Sequence, residues 1–211
     1  MASPSPNSRN PRRSIWPLVA IFLITLAPIV IAAVLYYVPA LGFRPEGGSN
    51  YGELIHPQRP VPPAGELGLL TLEGEPFDLH SLQGKWIVMS AGPSACPESC
   101  VQKLFTLRNS HASQGKDVHR MTRIWFVLDD GPVPEQIKDA YVGTHMLRVD
   151  PARLAAWLAP QASAPDAEAA LTGPMWVVDP LEHLMMEFPA DADPIEVRDD
   201  LRKLLRASRI G

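Results

Sequence analysis

From Ile15 to Val38 the chain runs without a single charge. A stretch this long leaves few choices. In hydrocarbon every backbone N–H and C=O must be satisfied within the segment, so the run has to be a helix, and it exceeds the ~20 residues that cross a bilayer. Trp16, Tyr36 and Tyr37 lie at its two ends, where aromatic belts form. Pro28 falls mid-span and is expected to kink the helix rather than end it. Arg9, Arg12 and Arg13 precede the run and only Arg44 closely follows it, which puts the N-terminus in the cytoplasm and the bulk of the chain outside. A cleaved signal peptide fits less well: its apolar core is shorter, and no small-x-small site follows cleanly. Ser14-Ile15-Trp16-Pro17 is a poor continuation of a twin-arginine signal at Arg12-Arg13. The expectation is a single-pass inner (plasma) membrane protein with a cytoplasmic basic arm over 1–14, a transmembrane signal anchor over 15–38, and a periplasmic C-terminal domain.

The rest of the 211 residues suffices for a linker and one domain. Formal net charge is −4, and more negative still once the three arm arginines are set aside, which argues against a nucleic-acid partner. Much of the proline lies in the arm and between Pro39 and Pro63. Residues 39–63 therefore read as a Pro/Gly-rich linker, extended at Pro57-Gln58-Arg59-Pro60-Val61-Pro62-Pro63, and the domain as 64–211. Within it, Leu67 to Leu72 and Pro76 to Leu79 read as a small hairpin around Glu73-Gly74-Glu75. Trp86 to Ala91 and Thr122 to Leu128 read as buried strands, and Val101 to Gln114 as an amphipathic helix. Pro134 to His145 and Pro151 to Leu158 are helices opened by proline. Pro174 to Val178 and Leu184 to Phe188 form a last strand pair around Asp179-Pro180-Leu181-Glu182, closed by a helix over Asp193 to Ala207. Strand–helix–strand–helix followed by a hairpin and a helix predicts an α/β fold, a mixed sheet flanked by helices.

The chain has two cysteines, Cys96 and Cys100, in Cys96-Pro97-Glu98-Ser99-Cys100 at the turn from the first buried strand into the first helix. With both in the first helical turns their Cα atoms would be ~6 Å apart, within disulfide range. A helix N-terminus also lowers a thiol pKa. A passive staple closing so short a loop would stabilise little, so redox or soft-metal chemistry is the expected use. Cys96, nearer the helix start and expected to be the more exposed, is assigned as the nucleophile and Cys100 as the resolving thiol. Lys103 and Arg108 are expected to face solvent. The six histidines show no mutual metal spacing, His111 is expected to be solvated, and strand alternation puts Met185 and Met186 on opposite faces.

This element order, with a thiol pair ending the first core strand, resembles the thioredoxin fold. The CxxxC spacing, with Pro76-Phe77-Asp78-Leu79 and Lys85-Trp86 ahead of it, resembles the Sco/SenC family of membrane-anchored copper chaperones that assist cytochrome c oxidase assembly. The resemblance covers roughly Ala64 to Ala207. It implies copper as a possible cargo held by Cys96 and Cys100, with partners such as an oxidase subunit, a copper chaperone or another protein thiol or disulfide. In that family a histidine ahead of the final hairpin is the third copper ligand, whereas residues 167–175 contain no His or Cys. Gly173-Pro174 before an apolar strand is similar instead to the cis-proline loop of thioredoxin-like oxidoreductases, which implies that Pro174 faces the dithiol. Thiol–disulfide exchange is accordingly favoured, with copper delivery through the two thiolates, or a purely docking role in assembly, as alternatives. A peroxiredoxin is disfavoured because Pro93 stands where that family needs threonine.

Overall fold

The computed structural model describes residues 15–37, 50–162, 164–208 and 210. The basic arm, Val38 and the first part of the linker, residues 39–49, lie outside the described residues. The chain divides into two compact units, Met1–Gly48 and Ser49–Gly211. In the first, Trp16–Tyr37 forms α1, with Pro28 inside it and no buried residue. Its length and composition suit a membrane span.

The second unit is built on a seven-stranded sheet. Its strands are β1 (Glu53–Pro60), β2 (Leu70–Thr71), β3 (Trp86–Gly92), β4 (Met121–Val127), β5 (Thr144–Arg148), β6 (Met175–Val178) and β7 (His183–Phe188), in the spatial order β1-β7-β6-β3-β4-β5-β2. The neighbours β3, β4 and β5 are parallel, and every other pairing is antiparallel. All seven residues of β3 and of β4 are buried, as expected for strands covered on both faces. Their side chains alternate between two cores. Ile87, Met89, Ile124 and Phe126 pack with the helices α5 (Pro151–Leu158) and α6 (Ala167–Thr172). Val88, Trp125 and Val127 pack with α3 (Glu98–Ala112) and α7 (Pro194–Ala207). Two shorter helices, α2 (Ala64–Leu67) and α4 (Glu135–Ala140), complete the unit.

Several expectations need correcting. The stretch read as a spacer up to Pro63 supplies β1, the outer strand paired with β7. Proline is tolerated there because an edge strand leaves half its N–H groups unpaired anyway. The early hairpin shrinks to one bridge between Leu70 and Pro76; β2 pairs with β5 instead, and Leu79–Leu82 is a 3-10 turn capped by Asp78. The helix expected over Pro134 to His145 stops at Ala140. Gly143 takes φ 81°, a left-handed conformation that suits glycine, and the chain leaves as β5. Val177 pairs with Met186 but Val178 with Leu184. Met185 is thus an extra residue, a bulge that puts both methionines in the α3/α7 core.

One ion pair fastens this frame across elements. His80 Nδ1 lies 2.8 Å from Glu182 Oε1. The hydrogen bond to Glu182 raises the imidazole pKa above its usual 6.5, against some desolvation. A raised histidine stabilises fully below the unfolded value and loses that contribution as pH rises through the folded one. The denaturation midpoint should therefore fall from pH 5.5 to pH 8 by more in wild type than in His80→Gln. The ring is 38% exposed, so the difference is small, and equal slopes would contradict it.

Candidate dithiol site

The central strand β3 ends at Gly92, and a tight turn carries the chain into α3. The Cys96 N–H donates to Pro93 O at 3.0 Å. Cys96 has φ 40°, in the left-handed region, an unfavourable conformation for a residue with a side chain. Pro97 is the residue before the helix: φ −63° and ψ 174° make it the cap, and α3 begins at Glu98, three residues ahead of the Val101 start read from the sequence. Cys96 therefore stands outside the helix and Cys100 at its third position. Their Cα atoms are 5.1 Å apart and the sulfurs are joined in a disulfide.

Cys96 is not open to solvent. It is 6% exposed and Cys100 3%, because the left-handed turn folds the bridge into the apolar cluster with Leu104, Val133, Tyr141 and Met175. The exposed residues are its flanks, Ala95, Pro97, Glu98 and Ser99. Cys96 thus lies at a rim, and Cys100 one turn deeper.

The preceding turn is tied to the end of β4. Asp129 accepts the N–H groups of Ser94 at 3.0 Å and Gly131 at 2.8 Å. Arg148 donates to the carbonyls of Asp129 and Gly131. Partial burial pushes the Asp129 carboxyl up, but the bonds from Ser94 and Gly131 and the Arg148 charge outweigh it, and its pKa lies below the usual value. Asp129-Asp130-Gly131 at the end of a core strand is the sequence signal for this link.

Pro174 immediately precedes β6, whose Met175 pairs with Ser90 near the end of β3. The Gly173–Pro174 bond is trans; the cis bond among the described residues is His56–Pro57. The likeness to a cis-proline loop therefore fails in its defining feature. Gly173 and Met175, on either side of Pro174, do line a cavity of about 680 Å³ shared with Glu98, Ser99 and Lys103 of α3. Lys103, expected in solvent, is only 8% exposed, and desolvation lowers its pKa. Arg108 is exposed and bonds Ala140 O. His111 is half-buried against the carbonyls of Val118 and Met121, and burial, with the Arg123 charge, lowers its pKa. Among the described residues no three His, Cys, Asp or Glu side chains cluster as a metal-binding group. The two bridge sulfurs, with the Met175 thioether in the same apolar cluster, are the soft donors at this place.

A mixed sheet of this order, with a disulfide where its central strand meets a helix, defines a thioredoxin-like protein. The family model for a "Transmembrane-like, thioredoxin-like, C-terminal domain" matches residues 86–208, and the chain belongs to that family. No protein of curated function matches it. Among solved structures it is similar to Arabidopsis thaliana ScoI with copper bound, at 13% identity over 75% of this chain and 99% of that one, with a TM-score of 0.52. It is also similar to BsSco, a member of the Sco family of cytochrome c oxidase assembly proteins studied for a disulfide switch, at 15% identity over 74% and 96%, with a TM-score of 0.52. Yeast Sco1 with copper bound matches at 13% identity over 72% and 91%, with a TM-score of 0.51. Identities this low establish a shared fold; what each site does has to be argued from its own residues.

Proposed function

We propose that this protein is a membrane-anchored thiol–disulfide exchange protein supporting respiratory cytochrome c oxidase assembly, with Cys96 and Cys100 as its redox pair and the domain in the periplasm. The observation that carries the reading is the bridge itself, closed between a strained rim residue and the first turn of a helix. Strain of this kind concentrates at functional sites. The oxidase connection rests on the Sco fold alone, and the compartment on the arginines before α1.

The exchange runs in two steps. A partner thiolate attacks Cys96 Sγ, the Cys96–Cys100 bond breaks, and its electron pair leaves on Cys100. The second partner thiol, as thiolate, then attacks the partner sulfur of the mixed disulfide, and Cys96 leaves. Two electrons pass to the protein, two protons follow, and the partner dithiol becomes a disulfide. In reverse, the Cys96 thiolate attacks a partner disulfide and Cys100 resolves the intermediate. The N-terminus of α3 favours the thiolate form of either sulfur. Pro174, beside the same end of the sheet, is assigned to shaping the surface a partner meets.

The reduction potential of the pair, measured with and without Cu(I), tests this reading. The expected value lies in the range of exchange proteins, roughly −120 to −270 mV, and moves little with copper. A value below about −300 mV, insensitive to copper, marks a structural bridge and ends the proposal. A large copper-dependent change would transfer it to copper delivery.

A further inference from the structure

Trp125 is fully buried on β4, opposite Ser90 of β3, and its indole N–H has no hydrogen-bond partner. A buried donor without an acceptor is costly, so a state of the molecule that supplies one is worth seeking. Gly92 shows where it is. A Cβ built on Gly92 would stand 3.5 Å from Cys100 Sγ and 3.5 Å from Trp125 Nε1. The sulfur and the indole nitrogen thus border the same methyl-sized space over a bare Cα. The indole nitrogens of Trp86 and Trp157 are also unpartnered, but only that of Trp125 borders the bridge at Gly92.

We propose that the Trp125 indole N–H is the positioning group that receives the Cys100 thiolate when the bridge opens. This rests on the exchange reading above and deepens it. A disulfide sulfur is a weak acceptor, whereas a thiolate is charged and bonds strongly. When a partner thiolate takes Cys96 and the electron pair leaves on Cys100, the freed side chain can turn into the space over Gly92 and accept the waiting N–H. The donor is already in place, so nothing need reorganise as the charge develops. The bond lowers the Cys100 pKa, makes it the better leaving group and favours the reduced form. The charged and titratable groups on the surrounding elements include Glu98, Lys103, Arg108 and His111 of α3, Arg123 of β4, Asp129 after β4, and Tyr141 after α4; the variants below leave all of them in place.

Two substitutions isolate the bond. Trp125→Phe removes the donor. Gly92→Ala fills that space with a methyl at ordinary contact distance from both the sulfur and the indole nitrogen, and leaves the tryptophan itself unchanged. In a Cys96→Ser background, where Cys100 is the one thiol, each should raise the Cys100 pKa by about one unit in an ultraviolet thiolate titration. With both cysteines present, each should shift the equilibrium with glutathione about tenfold toward the disulfide, two glutathione thiols being oxidised per bridge reduced. In the wild-type protein the Trp125 indole N–H resonance should move downfield on reduction. Should Trp125→Phe fail to fold, Gly92→Ala and the resonance still decide. An unmoved Cys100 pKa in Gly92→Ala, or an indole resonance indifferent to reduction, overturns the proposal. The single-thiol titration needs no exchange activity. A wild-type protein that does not equilibrate with glutathione would instead overturn the exchange reading.

Discussion

Serine in place of Cys100 should leave the protein locked to its partner. The Cys96 thiolate would still attack a partner disulfide, forming the mixed disulfide and releasing the partner's other sulfur as thiolate, but nothing inside the molecule could resolve it. A resolving thiol held beside the reacting bond acts at an effective molarity on the order of 10⁵ M or more, against millimolar thiols in solution. Release should therefore slow by at least about a thousandfold, and acid-quenched alkylation with mass spectrometry should find the adduct on Cys96. Cys96→Ser should form no adduct, because the remaining sulfur is the deeper one, against Trp125 and Gly92. The asymmetry separates the two thiols by where they sit, not by their exposures, which differ little. Neither change should unfold the domain. With a sequence separation of 4, the loop is so short that the bridge is worth only about 2 kcal/mol by chain entropy. Equal adducts on both single-cysteine variants would remove the distinction between attacking and resolving thiol. A docking factor would keep its cellular role with both cysteines changed to serine.

The bridge was legible because its two cysteines stand alone in the chain, at a spacing that disulfide geometry permits. The buried strands were legible from unbroken apolar runs such as Ile124-Trp125-Phe126-Val127, and α7 from the apolar stripe Ile195, Val197, Leu201, Leu204 and Leu205, of which Val197, Leu201 and Leu205 are buried, Leu204 is half-buried and Ile195 is exposed. What escaped was set by tertiary pairing. Glu53–Pro60 carries two prolines and two charged residues against one β-branched residue, Ile55, so local propensity argues against a strand; β7 supplies the partner that makes it one. In β5 the residues Thr144 to Met146 are only half-buried, and so short a segment between Gly143 and Pro151 carries little periodicity. Lys103 reads as a surface residue on any scale, because a sequence does not reveal that its flank of α3 faces a cavity. The two cysteines could be placed at the end of a strand, but not the left-handed turn that tucks Cys96 inward. Gly92 and Trp125 carry no sequence signal as a pair, since their meeting depends on the register between β3 and β4.

Removing the Asp200 carboxylate should cost more than any other single change outside the core. This side chain is 1% exposed on a helix whose other buried residues are apolar. One oxygen accepts the N–H groups of Tyr51 at 2.7 Å and Gly52 at 2.9 Å, and the other accepts Lys203 Nζ at 2.9 Å. It thus anchors the entry to β1 on α7. Gly52 is needed for that approach, because a Cβ there would stand 2.8 Å from both Met186 Sδ and Phe188 Cε1. Charge-assisted bonds to backbone N–H groups are among the strong ones, and alanine would strand two donors, that of Gly52 at a buried position and that of Tyr51 at a part-buried one. At roughly 1–3 kcal/mol for each stranded group, Asp200→Ala should lose about 3–4 kcal/mol, near 10 °C in melting temperature for a domain of this size. Asp200→Asn keeps one acceptor oxygen and should lose about half as much. Because β1 is an edge strand held by one neighbour, the loss should be local first: hydrogen exchange should speed up at residues 51–60 before it does in β3 or β4. Uniform exchange with an unchanged melting temperature would mean that pairing with β7 alone holds the strand, and that the carboxylate is buried without anchoring anything.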